Sequence, residues 1–445
     1  MFPSQSDGIN SPAIATEGHW ATPLGFAAMA EVRPLRALHY NLGAVGSLDA
    51  VTAPPYDVID ADMRRELLAR SPFNVVEIDL PEAPGGADPY ERAAETLEAW
   101  TLEGILTADR GPAIWALTQE YTAPDCTRCT RHGLLTRVRI TEYGPGLIRP
   151  HERTQPGPKQ DRLRLTEATR HNVSPIFSLY PGDAWRHVEP ALDDVPWAET
   201  TDADGTVNRV WRIAGPGVHE AVTATLSDAE LLIADGHHRY ETARTYAHAI
   251  GGDGPHRYTL MCLVSLEDPG LTVFPTHRLL TGLDASKQEA LGAGLRELFE
   301  VDEVSPDELD PVGAEGLGVY GYVDSDSGGG LRLRLRETAA LDRALDGHPG
   351  SYRRLDAVIL ESLVLNGILG MTEEDIAAKR GIGYAKSTDE ARAAIDSHQA
   401  DCAFLLRPTP VVQVRDVAST GETMPPKSTY FFPKLLSGFV LNPLS

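Results

Sequence analysis

The chain has 445 residues, about three times the usual length of one domain, so two or three domains are expected. It carries 40 Lys and Arg against 64 Asp and Glu, a net charge of -24 at pH 7. This balance argues against a nucleic-acid binder that neutralises phosphates with a basic face. Four cysteines do not make a disulfide framework, and the first 20 residues lack the basic and apolar regions of a signal peptide. We therefore expect a cytoplasmic protein with no nucleic-acid or membrane partner.

The N-terminal part of the chain predicts a loose extension over residues 1–30, followed by an α/β region over 31–140. One helix is expected with Asp60 or Asp62 near its N-cap, and a second with Asp88 as its cap. A short strand is expected after the Pro-Pro break of VTAPPYDVI, and three more at FNVVEIDLP, PAIWALTQEYTA and RHGLLTRVRI, of which the last two form a hairpin. This alternation of strand and helix is typical of an α/β or α+β layer.

The middle and the C-terminal part predict two further regions. Residues 141–280 are expected to form the catalytic core, which opens with a long Gly- and Pro-rich loop of the kind that is usually functional. A helix (DRLRLTEATRHN) and strands (SPIFSLY, ELLIAD, YTLMCLVSL, LTVFPTHRLL) follow this loop. Residues 281–445 are expected to form an α/β region that closes on the core.

The strongest local motif is ADGHHRYETA, where an apolar strand at 231–233 runs into Asp235 and Gly236. A helix begins near His237 or His238. Glycine lets the backbone approach a ligand closely, and the N–H groups of a first helical turn bind anions. The side chains that would add charge-assisted donors are His237, His238 and Arg239. An ordinary Asp N-cap with surface histidines, or a metal site, are the alternative interpretations.

The second motif is IRPHERT at 148–154, followed by KQDRLRL. Glu152 lies in a loop where its carboxylate could act as a general base toward a hydroxyl or as a magnesium ligand. The basic residues around it are Arg149, His151, Arg153, Lys159 and Arg162. This local reversal of charge in an acidic chain is what a polyphosphate pocket requires. A solvated charged loop is the alternative.

Two further segments offer cations for a substrate. MPPKSTYFFPKLLSG at 424–438 places Lys427 and Ser428 after two prolines, and its aromatic residues would anchor the segment. PTHRLL at 275–280 could bring Arg278 to the end of a strand. Lys427 could reach a phosphate or a carboxylate, but packing roles for both segments are equally consistent with the sequence.

These motifs resemble the bacterial and archaeal family of unknown function DUF 1015. The stretches that carry the resemblance are RPLRAL, APPYDVI, SPFNVVEIDLP, IRPHERT with KQDRLRL, SPIFSLY, IADGHHRYETA, LTVFPTHRLL and MPPKSTYFFPKLLSG. They occur in order from about residue 33 to residue 438, so the resemblance covers nearly the whole chain after the extension. The central part of that family in turn resembles the ParB/sulfiredoxin superfamily, which includes free-serine kinases.

The resemblance implies an α/β (mixed α+β) fold with a ParB/sulfiredoxin-like nucleotide-binding core and large flanking α/β segments. In the free-serine kinases, a Pro-x-Glu segment supplies a catalytic glutamate and a D-G-H-H-R loop holds nucleotide phosphates. The residues that we expect to act in catalysis are Glu152, Asp235 and His237. The residues expected to bind the nucleotide are Gly236, His237, His238, Arg239, Arg149 and Arg162. The residues expected to bind the substrate are Lys427, Arg278 and Ser428.

The sequence thus predicts a kinase that phosphorylates a free serine-like amino acid with ATP or ADP and Mg²⁺. Phosphoryl transfer requires positioned phosphates, charge neutralisation and a carboxylate that orients the accepting hydroxyl. Glu152 would activate that hydroxyl, and it is also the candidate magnesium ligand. The alternatives are a nucleotide-binding interaction module without turnover and a metal-dependent hydrolase that uses His237 and His238.

Overall fold

The computed structural model describes residues 31–123, 126–154, 156–325 and 329–445. The extension predicted for residues 1–30 lies outside the described residues. The chain has a mixed α/β fold built on a nine-stranded sheet and a six-stranded sheet, which confirms the predicted class. Within the described ranges, none of the helices combines the length and the apolar character needed to span a bilayer.

Strands and helices alternate along most of the chain. The strands are β1 (Val32–Arg33), β2 (Leu38–Tyr40), β3 (Leu106–Ala108), β4 (Ile114–Thr122), β5 (Arg128–Arg139), β6 (Ile148–Arg149), β7 (His171–Asn172), β8 (Ile176–Tyr180), β9 (Ala198–Thr201), β10 (Val207–Ile213), β11 (Leu231–Asp235), β12 (Tyr258–Ser265), β13 (Thr272–Phe274), β14 (His277–Leu280), β15 (Phe299–Val304), β16 (Val319–Asp324), β17 (Gly330–Leu335), β18 (Ile382–Ala385), β19 (Cys402–Leu405), β20 (Tyr430–Phe432) and β21 (Asn442–Pro443). The helices are α1 (Leu42–Val45), α2 (Ala61–Arg70), α3 (Val76–Asp79), α4 (Pro89–Leu102), α5 (Pro156–Thr169), α6 (Pro216–Leu226), α7 (His237–Ile250), α8 (Ala285–Leu298), α9 (Ala339–Ala344), α10 (Gly350–Arg353), α11 (Asp356–Leu360), α12 (Glu373–Ala377), α13 (Thr388–Asp396) and α14 (Val411–Ser419). A π-helical segment, Glu361–Asn366, continues α11.

The nine-stranded sheet has the order β6-β11-β8-β12-β5-β4-β10-β9, with β1 also paired to β5. The predicted hairpin is present as β4 and β5, which pair antiparallel. Strand β11 lies between β6, to which it is parallel, and β8, to which it is antiparallel. Because β4 and β5 belong to the same sheet as β8, β11 and β12, the boundary expected between residues 140 and 141 falls inside one sheet.

The six-stranded sheet is antiparallel and has the order β15-β17-β16-β19-β14-β18. Helix α13 packs its apolar face, which includes Ala391 and Ile395, against Ala403 and Leu405 of β19. Further along the chain, β20 pairs with β13 and β21 pairs with β7, and each pair forms a separate two-stranded sheet. These two pairings join the C-terminal segment to strands that occur earlier in the chain.

The predicted helix caps are formed by Asp60, which accepts from the Met63 amide at 2.8 Å, and by Asp88 at the start of α4. Two predicted strands are wrong, because the segment after the Pro-Pro break forms a 3₁₀ turn at Tyr56–Val58 and FNVVEIDLP contains helix α3. Val75, Val76 and Ile78 are buried, and a short segment rich in apolar residues does not distinguish a strand from a buried helix. Asn74 favours the helix, since its side chain accepts from the Val76 amide at 3.0 Å.

Candidate functional site

A tight turn joins strand β11 to helix α7. Asp235 ends the strand, and Gly236 has a φ of 95°, in the left-handed region that favours glycine. The helix begins at His237, and the N–H groups of a first helical turn have no partners within their own helix. Together with the positive end of the helix dipole, these groups make the turn suited to an anion.

The first turn of α7 forms one wall of a cleft of about 240 Å³. Residues from five segments line this cleft, and they lie within 56–57, 152–158, 234–239, 376–384 and 426–434. The lining therefore combines the β11–α7 turn with the loop after β6, the six-stranded sheet and the C-terminal segment.

Glu152 lies next to the segment that carries Lys427. The residue is half-buried and lines the cleft, and its Oε1 accepts a hydrogen bond from the Lys427 amide at 3.4 Å. Met424 fixes the neighbouring backbone, because its amide donates to the His151 carbonyl at 2.7 Å. Burial raises the pKa of Glu152, although the positive charge of Lys427 works in the opposite direction. A carboxyl with a raised pKa is suited to accept a proton near neutral pH.

Two neutral histidines connect Glu152 to α7. The Nδ1 of His151 lies 2.6 Å from the Ile233 carbonyl, its Nε2 lies 2.9 Å from the Thr429 hydroxyl, and its amide donates to the Nε2 of His237 at 3.3 Å. Since a carbonyl only accepts, Nδ1 of His151 carries its proton. Burial lowers the pKa of His151 to about 4 and lowers that of His237 as well. His237 is thus uncharged at neutral pH, unlike the charge-assisted donor that the sequence suggested.

Asp235 is held by two cations at the start of α7. The Nζ of Lys434 lies 2.7 Å from its Oδ2, and the Nη2 of Arg239 lies 3.7 Å from its Oδ1. Although burial works in the opposite direction, Lys434 and Arg239 hold the pKa of Asp235 well below its usual range. Arg239 also donates to the Pro175 carbonyl, which fixes its guanidinium beside the turn.

The structure brings seven of the predicted site residues to the cleft. The residues that line it are Glu152, Asp235, Gly236, His237, His238, Arg239 and Lys427. Glu152 and Lys427 are 275 positions apart in the sequence, so the fold itself assembles this group.

Two predicted phosphate-binding arginines lie elsewhere. Arg149 pairs with Glu230 at 3.1 Å and does not line the cleft. Arg162 is buried, and its Nη1 donates to both the carboxylate and the carbonyl of Asp79, at 3.0 and 2.6 Å. Its guanidinium also stacks on the Tyr56 ring at 4.0 Å. The guanidinium of Arg162 is therefore already paired with Asp79 and does not make the phosphate contact that the sequence predicted.

Two predicted substrate-binding residues are buried and do not line the cleft. Arg278 is buried and donates to the carbonyls of Thr276 and Lys427, at 2.7 and 3.1 Å. Ser428 donates to the Pro425 carbonyl at 2.7 Å. Both side chains fix the backbone around Lys427, whose φ of 59° is in the left-handed region.

The sequence reasoning missed Lys434 and the bridging role of His151. Lys434 belongs to the motif MPPKSTYFFPKLLSG, but 199 positions separate it from Asp235, and no local pattern in the sequence indicates that the two residues form a pair. His151 was noted only as a positive charge. Its Ile-x-Pro-His context did not reveal that the ring is buried between Ile233, Thr429 and His237.

The donor set suits Mg²⁺ only as part of a polyphosphate complex. Among the residues that the structure describes, no three His, Cys, Asp or Glu side chains are arranged to hold a metal ion. Mg²⁺ is commonly held by one or two carboxylates together with substrate phosphates, and Glu152 and Asp57 line the cleft as carboxylates of this kind. A hydrolytic metal on His237 and His238 fits poorly, because the Nε2 of His237 already accepts from His151.

Gly236→Ala should disturb the anion-binding turn. A Cβ at this position would lie 3.0 Å from the Nε of Arg239, and its φ is strained for alanine, so we expect a loss of about 1–2 kcal/mol in the free energy of unfolding. Urea denaturation and ADP titration measure the effect. Gly252→Ala is the matched control, since it has a φ of 67° and open space around its Cβ. Because the φ of Gly252 is also strained for alanine, the control should lose stability too, but its ADP affinity should stay unchanged. An ADP affinity in Gly236→Ala equal to that of the unmodified chain would contradict the prediction.

Comparisons with known proteins place the chain in a family. The model of the family described as a protein of unknown function, DUF1015, matches residues 32–357. No curated protein matches the chain.

Several solved structures are similar to the chain at low identity. A conserved hypothetical protein from Pyrococcus furiosus is 14% identical, with a TM-score of 0.35, over 66% of this chain and 91% of that chain. A mutant free serine kinase in complex with AMP is 12% identical, with a TM-score of 0.37, over 67% and 88%. A C-terminally truncated SbnI from Staphylococcus aureus is 12% identical, with a TM-score of 0.35, over 69% and 86%. At these identities and TM-scores, none of them bears on the chemistry of the cleft.

Proposed function

The chain belongs to the DUF1015 family, which is described only as being of unknown function, and we propose that it is a kinase. It would transfer a phosphoryl group from ATP or ADP to the hydroxyl of a free serine-like amino acid. One observation carries the proposal. A carboxyl with a raised pKa, that of Glu152, shares a small cleft with the N-terminus of α7 and with cationic side chains.

The donor nucleotide would place its terminal phosphates on the first turn of α7. The N–H groups of this turn and the guanidinium of Arg239 supply donors that suit phosphate oxygens. Gly236 lets a phosphate approach the backbone, since it has no side chain. Because the ring of His237 is neutral, it adds no positive charge at the turn. The cations beside Asp235, Arg239 and Lys434, would therefore supply the charge that neutralises the phosphates.

The acceptor would lie between Glu152 and Lys427. Its hydroxyl oxygen attacks the terminal phosphorus, a new O–P bond forms, and the bridging P–O bond to the nucleotide breaks. The hydroxyl proton passes to the Glu152 carboxylate, and ADP or AMP leaves. Lys427 would bind the carboxylate of the amino acid. Mg²⁺ supplied with the nucleotide would neutralise phosphate charge, and Asp57 or Glu152 would hold it.

The test is to incubate the full chain with serine or threonine, ATP or ADP, and Mg²⁺, and to follow ³¹P resonances. We expect a phosphomonoester of the amino acid to appear together with ADP or AMP. Absence of any phosphorylated amino acid across serine, threonine and their analogues would overturn the proposal. Tight nucleotide binding without transfer would instead favour a nucleotide-binding interaction module.

A further inference from the structure

One wall of the cleft is formed by the C-terminal strap, which we define as residues 424–437. This segment lies beyond residues 32–357, the part of the chain that the family model matches. Its first residue, Met424, bonds to the His151 carbonyl, and its last residue, Ser437, pairs with Ala53 through two backbone hydrogen bonds of 2.8 and 3.2 Å. Between these anchors, β20 pairs with β13. The strap is therefore held at its first residue, at β20 and at its last residue.

A buried arginine fixes the strap next to Lys434. The Nη2 of Arg131 donates to the Pro433 carbonyl at 2.5 Å, and the Nε2 of Gln119 donates to the Lys434 carbonyl at 3.2 Å. Arg131 is 1% exposed and stacks on the Phe177 ring at 4.5 Å. The described acceptors of its hydrogen bonds, the Gln119 side chain and the Pro433 carbonyl, are neutral, and burying a charge in this way costs free energy. The position of the backbone at 433–434 is thus held at an energetic cost.

The side chain of Lys434 reaches from this backbone into the cleft. Its ammonium lies 2.7 Å from Asp235 and 4.4 Å from the centre of the Tyr430 ring, and the side chain is 18% exposed. An ammonium has three donors, and the described contact with Asp235 uses one of them. Because Asp235 directly precedes Gly236, an anion on the first turn of α7 would lie beside the remaining donors.

We propose that Lys434 is a phosphate-binding residue of this cleft. A phosphate oxygen of the nucleotide would accept a hydrogen bond from the Lys434 ammonium, either together with Asp235 or in its place. The proposal rests on the proposed function, since it identifies the cation that meets the donor phosphates. Asp235 would keep Arg239 as its partner at 3.7 Å when Lys434 turns to the ligand. The strap would therefore supply part of the phosphate site, and the matched region alone would leave it incomplete.

A purely structural ion pair is the competing explanation, and the chain offers a matched control against it. Lys386 also lies over the Tyr430 ring, at 5.3 Å, but it does not line the cleft. A general effect of removing a lysine beside Tyr430 would appear in both positions. A phosphate contact would appear only at Lys434.

The experiment titrates the full-length protein with pyrophosphate, ADP and adenosine by calorimetry. We expect Lys434→Met to weaken pyrophosphate and ADP binding by about tenfold or more, because a charge-assisted hydrogen bond is lost. Adenosine binding should stay unchanged, Lys434→Arg should retain most of the affinity, and Lys386→Met should resemble the unmodified chain.

The double variant Asp235→Asn, Lys434→Met separates the two explanations, because it removes the ion pair without leaving Asp235 uncompensated. Weak pyrophosphate binding in the double variant supports the phosphate contact, whereas recovery of full affinity would overturn it. Unchanged affinity in Lys434→Met would also overturn it. If pyrophosphate binding depends on Lys434 while no amino acid is phosphorylated, the kinase proposal fails and this inference stands. If the unmodified chain binds neither pyrophosphate nor ADP, both fail.

Discussion

Glu152→Gln should lower the rate of phosphoryl transfer by about 10²–10⁴-fold, because an amide does not accept the hydroxyl proton. The affinity for ADP should stay within about threefold, since the side chain keeps its size and its oxygen still accepts from the Lys427 amide. A ³¹P assay of turnover and calorimetric titration with ADP measure the two quantities. Full activity in this variant would remove Glu152 from the mechanism.

The raised pKa of Glu152 gives this prediction two internal checks. The rate of the unmodified chain should rise with pH as Glu152 loses its proton, and this rise should be absent from any residual activity of the variant. A carboxyl whose pKa is raised in the folded state contributes stability below its unfolded pKa and loses it as pH rises through the folded pKa. At neutral pH, the neutral amide should therefore not lower the free energy of unfolding.

Glu361→Gln is the matched control for this variant. Burial also raises the pKa of Glu361, but this residue does not line the cleft. Its replacement should leave turnover unchanged. A similar loss of activity in both variants would show that the effect comes from altered charge in the C-terminal region and not from a missing base.

The β11–α7 turn could be predicted because its signals are local. An apolar strand, a glycine and a helix follow one another within 231–250, and the structure places them as expected. The anion-binding geometry follows from backbone dihedral angles, and Gly236 is the residue that permits them. The caps at Asp60 and Asp88 are local in the same sense, since each bonds to an amide two or three residues later.

The set of residues that line the cleft could not be predicted in the same way. A cluster of charged residues in the sequence does not determine which partner each side chain meets in the folded chain. Arg149 and Arg162 are close to Glu152 in the chain, but the structure pairs them with Glu230 and Asp79. Conversely, Lys434 is distant in the sequence and meets Asp235 through the return of the strap. Long-range pairings of this kind depend on topology, which local propensity does not encode.

Arg162 is the clearest example, and Arg162→Met should lower the free energy of unfolding by about 3–5 kcal/mol. Its partner Asp79 is equally buried, and the carboxylate of Asp79 also accepts from Ser174 and Ser437, at 2.5 and 2.9 Å. Removal of the guanidinium leaves an uncompensated charge among α3, α5 and the strap. Chemical denaturation measures this loss.

The control is Arg164→Met, one turn of α5 or less from Arg162. Arg164 pairs with Asp88 at 2.6 Å, but their side chains are 49% and 32% exposed, so its replacement should cost about 0–1 kcal/mol. Folded Arg162→Met should bind ADP within about threefold of the unmodified chain, because its guanidinium contacts Tyr56 and Asp79 and does not line the cleft. A large loss of ADP affinity with unchanged stability would restore Arg162 to the phosphate site that its position in the sequence suggested.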